Sequence, residues 1–508
     1  SWSFAARDAA AFSMFRRVYI AVAASAPSPE AQGGALAIYT LDEERGGALT
    51  LLQTRAALPA VSAVAHVGLN DRSGHRRHYL VVGAAYSRAQ PAPTVEVLGW
   101  SPAEDEFAPH HTLTRFADDV GLPLHVGDLE SFSLGGVPHL AVAFHSSGAT
   151  GDVPSYLYRW NSSEVRQADG HTRVVGFEPV QVFPTSGATA ATFLAFGAAQ
   201  TPVLAFASSL GRDEAKSGGA SHRGAVVLFR YDAEAGAFVP LQTIPAWGAA
   251  GLDAFSVPGA GGGDFLVIAN RQSQVPANMG DLTVYDQVPE LYRWNENTGS
   301  LVLHQRLEGG GFESVSDDSA GLAARDIFCA AAGCVPGDDG HTRPVPFLRG
   351  ATGVTAFAAG GETYLAVAQS LCENGDAPDE CPVQPKSAVL QWNRAVQRFG
   401  PMLSLEEGES VKDSGRELPA SELATHAYSL RINAGRAARF VFLEAGDLRL
   451  LVLCSHTRGA VVLEWDFEKV AGLRGAVSVA SGGPGGALYA VAADDAAVVH
   501  MERTIRVD

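Results

Sequence analysis

Charge is scarce in this chain, and positive charge scarcer still. Of its 508 residues 18% are charged, and 37 Lys and Arg face 55 Asp and Glu for a formal net charge of −18. Binding a phosphate backbone needs a cationic surplus, so nucleic acid is excluded as the main partner. No apolar run approaches the roughly 20 residues that span a bilayer. The opening "SWSFAARD" shows no charged-then-apolar leader, so none is expected within this numbering. Amphipathic helical patterns between strands are almost missing, which excludes a TIM barrel or a doubly wound sheet. Catalytic signatures are missing as well: there is no GxSxG elbow, HExxH, Walker A loop or GxGxxG entering a helix. No catalytic residue, cofactor site or metal site is assigned on motif grounds. The acidic stretches "DDSAGLAARD" at 317–326 and "GDDGH" at 337–341 lack the full ligand spacing of a calcium loop, so calcium is the ion they bring into view without a complete ligand set.

What the chain has in abundance is turns and short apolar runs. It carries 55 Gly, 27 Pro and 46% hydrophobic residues, a composition that suits a large core broken by many turns. One pattern returns throughout: "PELYRWNENTGSLVLHQ" at 289–305 has relatives in "SYLYRWNSSEV", "AVVLFRYDAEAGAFVPLQ", "AVLQWNRAVQRFGPML" and "AVVLEWDFEKV". The aromatic that ends the third strand of each unit falls at Tyr39, Trp100, Trp160, Tyr231, Trp294, Trp392 and Trp465, with Met501 as a weaker eighth. Upstream of each lies a buried-type apolar run such as "HYLVVGAAYS" or "DFLVIANRQS", and before that a small-residue strand such as "ESFSLGGV" or "DAFSVPGAGGG". A unit therefore reads as four antiparallel strands: a small inner strand, an apolar strand, an aromatic-ended strand, and an outer strand with Leu and Gln. Repetition of such units predicts an all-β protein, a β-propeller of seven to eight four-stranded antiparallel blades. A tandem β-sandwich is the runner-up, but its units need about 100 residues each.

The stretch "FVPLQTIPAWGAAGLDAFSVPGAGGGDFLVIANRQ" at 238–272 closely resembles the epilepsy-associated, or EAR (epitempin), repeat, and looser copies cover essentially the whole chain. The resemblance implies one propeller over 1–508, in a secreted or cell-surface protein that binds protein partners without catalysis. Two departures stand out: the count tends to eight, and insertions occupy 308–350 and 404–437.

Five cysteines are few, yet four form close pairs in Gly/Pro-rich loops, Cys329 with Cys334 and Cys372 with Cys381. Two small disulfides in an oxidising compartment are expected, with reduced thiols or a metal site as alternatives; neither pair has CxxC spacing. Cys454, in an apolar strand, reads as a buried free thiol. The sequon "NSS" places a glycan candidate at Asn161, in what reads as the turn after a third strand. Trp100, Trp160, Tyr231, Trp294, Trp392 and Trp465 recur at one blade position, which favours packing between blades over a carbohydrate platform. The long connections gather on one face, that of the 2–3 loops and blade-to-blade links, where recognition usually resides. The expectation is a non-catalytic extracellular or cell-surface propeller that binds a protein partner. The alternative is a glycan-binding or glycosidase-type propeller with its site in the axial funnel, and buried carboxylates about 5–10 Å apart there would favour it. Ring closure predicts that the residues before Val18 pack beside the last unit.

Overall fold

The computed structural model describes residues 5–480 except 16, 26–33, 43–47, 59–60, 71–74, 85–94, 114–123, 147–150, 167–172, 212–222, 260, 273–286, 308–349 (apart from 334–336, 342–344 and 348), 370–386, 395–396, 402–436 (apart from 412–413, 416–417 and 430–432), 446–447, 456–458 and 465–477. Its regular structure there is all strand. Seven antiparallel sheets, six of four strands and one of five, follow one another along the chain. Their inner strands are Ala5–Met14, Val61–Asn70, His125–Leu134, Ala188–Phe196, Ala249–Val257, Ala351–Ala359 and Ala437–Ala445. We number the blades one to seven in that order. Each inner strand packs against the next, and that of blade seven packs against Ala5–Met14, so the ring is closed. Seven is the count among the described residues. Ser478–Ala480, at the head of the eighth sequence recurrence, is the outer strand of blade seven.

Closure occurs where the early chain was expected to lie. Ala6, Ala9, Val18, Ile20 and Val22 of blade one share a core with Leu450, Val452, Cys454 and Val462 of blade seven. Within each blade the second strand is the most deeply buried: "YLAVAQ" in blade six is buried throughout, as a strand sandwiched between neighbouring sheets must be.

The small residues of the inner strands are a steric requirement. A Cβ built on Gly353 of blade six would stand 2.6 Å from the carbonyl oxygen of Ala438 in blade seven, closer than real Cβ contacts allow. At this contact only a missing side chain lets the backbones of blades six and seven approach so closely.

The rim is held by a device that repeats from blade to blade. A glutamine on the outer strand uses its carboxamide as a surrogate strand against the next outer strand, donating to a backbone carbonyl and accepting from the N–H of the same residue. Gln53 does this with Phe107 at 2.9 and 2.9 Å, Gln181 with Phe238 at 2.6 and 2.9 Å, Gln242 with Leu301 at 2.9 and 2.8 Å, and Gln305 with Phe399 at 2.8 and 2.9 Å. Blade two has His111 at this place, whose Nε2 accepts only the Phe177 N–H, at 3.1 Å. Its ring lies over Gly176, where a Cβ would come within 2.6 Å of it.

The recurrent aromatics sit beside these clasps. Trp100, Trp160, Tyr231 and Trp392 each meet the clasped Phe of their own blade edge-on, at ring separations of 5.1–5.4 Å. The tryptophans also reach the preceding blade: Trp100 to Tyr19 (5.8 Å), Trp160 to Tyr79 (4.8 Å), Trp294 to Phe196 (5.3 Å) and Trp392 to Phe265 (5.0 Å). Trp465 lies outside the described residues.

The two insertions differ in how they leave the ring. Residues 308–350 connect blades five and six, as expected. The second insertion interrupts a strand, because the outer edge of blade six is shared by Arg398–Pro401 and Leu430–Ile432, both paired with Ser387–Asn393.

Candidate functional site in the axial cavity

Every inner strand carries a bulge near its start, and the residue that resumes the ladder is Asp8, Ala63, Asp128, Ala190, Gly251, Gly353 or Arg439, from blade one to blade seven. A bulge re-aims the side chain that follows it. Two residues on, the same side of each strand presents Ala10, Ala65, Glu130, Thr192, Asp253, Thr355 and Val441. At this second level polar groups occupy an arc from blade three to blade six, and the remaining blades are apolar.

An inner strand has a partner on one edge only, so its other edge offers unpaired N–H groups to the axis. Axial side chains fill that need. Asp8 accepts from Val64 N–H at 2.9 Å, Asp128 from Ala191 at 3.0 Å, Glu130 from Phe193 at 3.2 Å and Asp253 from Ala356 at 2.6 Å, each reaching the next blade of the ring. Thr355 donates to Phe440 C=O at 2.7 Å. Arg439 then bridges across the axis: its Nη1 donates to Asp8 Oδ1 at 3.2 Å and to Asp128 Oδ1 at 2.6 Å. Blades one, three and seven are joined through a single nitrogen.

Beside this cluster lies a partly open cavity of about 330 Å³, whose polar lining is Glu130, Thr192, Asp253, Thr355 and Arg439 and whose rings are Phe193, Phe357, Phe440 and Phe442. Two stacked pairs brace its aromatic side, Phe132 on Phe193 at 4.0 Å and Phe357 on Phe442 at 4.5 Å. The volume is at the small end of ligand pockets, which run from about 300 to 1,000 Å³.

The electrostatics of the cavity separate its carboxyl groups. Burial, with Asp128 and Asp253 adding repulsion, pushes Glu130 up to about 8 against the pull of Arg439. Burial raises Asp253 to about 6 and Asp8 to about 6, with Arg439 opposing both. Arg439 is itself held more firmly protonated, by Asp128 before all others. Near neutral pH Glu130 therefore keeps its proton while Asp253 has lost its own, the separation that assigns an acid and a base within one site.

None of these five axial residues stood out in the sequence, although a signal existed. Asp8, Asp128, Glu130, Asp253 and Arg439 are charges inside strands made largely of small and apolar residues, at matched places in the repeat. The residues that the sequence did single out are elsewhere. Cys329, Cys372 and Cys381 lie outside the described residues, and Cys334 opens a short strand, Cys334–Pro336, paired with Thr342–Pro344. Cys454 is a buried free cysteine whose thiol burial pushes well up. Asn161 corrects its expected place: it lies within the strand Ser155–Arg166 and its Nδ2 donates to Glu178 at 3.0 Å, so the sequon is not in a turn. Among the described residues no group of three or more His, Cys, Asp or Glu is arranged to hold a metal ion.

No family model matches the sequence, and no curated protein matches it. The likeness to EAR repeats therefore rests on the quoted motifs alone. Solved structures similar in fold include a periplasmic gluconolactonase of Pseudomonas aeruginosa, 16% identical over 78% of this chain and 84% of that one, with a TM-score of 0.40. A putative 6-phosphogluconolactonase from Bacteroides fragilis is 13% identical over 86% of each chain, with a TM-score of 0.41. The Sqt1 protein of Saccharomyces cerevisiae is 10% identical over 92% of this chain and 97% of that one, with a TM-score of 0.42. Two of the three are named as lactonases. The expectation of a non-catalytic protein-binding propeller, and of no enzyme, is corrected on the funnel itself, which holds desolvated carboxyl groups of the kind that were to favour the alternative.

Proposed function

We propose that this chain is a hydrolase-type propeller that acts on a small, hydroxyl-rich substrate, a sugar derivative, in its axial cavity. The observation that carries the reading is the pairing of Glu130 and Asp253 in one cavity of monosaccharide scale, with proton affinities moved to about 8 and about 6. Asp253 takes a proton from the attacking water as its oxygen bonds to the electrophilic carbon. Glu130 gives its proton to the departing oxygen as the C–O bond breaks, so one water is consumed and no other reactant is needed. Arg439, fixed by Asp8 and Asp128, orients the substrate oxygens from the cavity wall.

The test is hydrolysis of a panel of sugar lactones and aryl glycosides by the full chain and by Glu130→Gln and Asp253→Asn. Turnover should rise with pH through about 6 and fall through about 8. Each substitution should reduce turnover by about 10²–10⁴-fold, the usual worth of positioned acid–base catalysis. No turnover on the panel, or turnover that both variants retain, overturns the reading.

A site of work outside the cytoplasm is part of the proposal, supported by the close cysteine pairs in Gly/Pro-rich loops. Alkylation of unreduced native protein tests it: reaction at all four of Cys329, Cys334, Cys372 and Cys381 would place the chain in a reducing compartment.

A further inference from the structure

The charge balance of the axial cavity narrows the ligand beyond its size. Among the described residues the one cation in the lining is Arg439, and the bonds of its Nη1 go to Asp8 and Asp128. Glu130 and Asp253 are met by backbone N–H groups, and among the described residues no lysine lines the cavity. Even with Glu130 protonated, three aspartates face one guanidinium. In a partly open cavity with low-dielectric walls such an excess is screened less than on the open surface, so it selects what enters.

A second observation is independent of the carboxylates. Thr192 lines the same cavity, is only 6% exposed, and its hydroxyl has no hydrogen-bond partner among the described residues. Buried hydroxyls are ordinarily satisfied, so this one is set to meet an occupant. Across from the polar arc, Phe193 and Phe357 offer ring surface to a carbon skeleton.

We propose that the occupant of the axial cavity is a small organic cation, a primary amine of amino-sugar size, with its ammonium between Glu130 and Asp253 and a hydroxyl on Thr192. The inference rests on the site described under the proposed function and names the chemical class that the site takes. It also has a mechanistic consequence. The groups that act on Glu130 are Asp128, Asp253 and Arg439; an added ammonium opposes the first two, makes Glu130 a stronger acid and brings it nearer to neutral pH, where a proton donor works best. Because the ammonium prefers an ionised Glu130, binding should tighten as pH rises through about 8, until the amine itself loses its proton.

Calorimetric titration of the full chain with glucosamine, glucose and gluconate separates the possibilities. Glucosamine should bind at least about tenfold more tightly than glucose, with gluconate weakest, a factor worth about 1.4 kcal/mol. Asp253→Asn should erase most of that preference. Since this variant can fail to fold, the wild-type order of the three sugars decides by itself. Equal binding of glucose and glucosamine, or a preference for gluconate, overturns the inference. Glu130-dependent turnover of a neutral lactone without amine preference would sink this inference and leave the hydrolase reading standing. Amine-selective binding without turnover on any substrate would support this inference and overturn the other.

Discussion

The rim and the axis of this ring are built from the same seven sets of strands, yet they obey opposite rules. On the rim one residue type does one job repeatedly: Gln53, Gln181, Gln242 and Gln305 each clasp the next blade through the same pair of hydrogen bonds. On the axis the matched positions hold Asp, Ala, Asp, Ala, Gly, Gly and Arg, and two residues on the variety is as great. A scaffold requirement acts on every blade alike, so its residues repeat. A ligand is not seven-fold symmetric, so the residues that meet it differ from blade to blade. Within a single chain, matched positions that fail to repeat mark the candidate site without any alignment of relatives.

The comparison can be strained from both sides. The largest expected effect is on the axis: Arg439→Met leaves Asp8 and Asp128 buried without their cation and should cost about 3–5 kcal/mol, read as a large drop in melting temperature. A loss under about 1 kcal/mol would mean that Arg439 serves the cavity and not the ring.

Next in size is the pH dependence of Glu130→Gln. A carboxyl raised from its ordinary value to about 8 contributes stability that is complete below the unfolded value and is lost as pH rises through 8. Removing it should therefore stabilise the protein at pH 9 by a few kcal/mol, at about 1.4 kcal/mol per unit of displacement, and change little at pH 4. Three histidines, His66 and His125 on inner strands and His111 on the rim, work in the opposite sense. Burial lowers His66 and His111 to about 3 and His125 to about 4, so the unfolded chain binds their protons first and stability falls as pH drops below about 6.5. In the wild type the two terms offset each other; in Glu130→Gln the acid loss should stand uncovered, as a steeper fall between pH 7 and 5. Parallel pH profiles for the two proteins would show that Glu130 is not buried as described.

On the rim, Gln242→Leu removes both bonds to Leu301 and leaves its N–H and C=O without partners, for a loss of about 1–3 kcal/mol in chemical unfolding. Catalytic pH dependence should not move. The smallest effect is a gain. His111→Gln restores the second bond of the clasp to Phe177 and should add about 0.5–1.5 kcal/mol; destabilisation would show that the imidazole's packing over Gly176 outweighs the bond it cannot make.

The sequence displayed the rim far better than the axis. The outer strand with Leu and Gln and the recurring Trp were visible because repetition makes a pattern, and the strand order of the blade followed from them. The role of the glutamine was not visible, because its partner is 54 to 94 residues away and is a backbone group, which carries no sequence signal. The axial residues hid for a deeper reason. Asp8 and Arg439 are neighbours only because the ring closes, and 431 positions separate them in the chain. Closure is likewise what gives the small inner strands their crowding, so Gly353 could be expected to be small while the contact with Ala438 could not be foreseen. Asn161 failed in the other direction: a local motif predicted a turn, and pairing with Gly176 keeps the strand going instead.

The divided outer strand of blade six bears on how such a chain can change over time. Pro401 pairs with Leu390 and Leu430 with Val389, adjacent residues of one strand. The backbone thus leaves the ring and re-enters it at neighbouring rungs of the same ladder. Whatever lies between has its two ends already held together, so lengthening it adds a loop-closure cost that grows only with the logarithm of its length. Such a doorway lets the protein acquire or shed a whole appendage while the register of every other strand stays as it was.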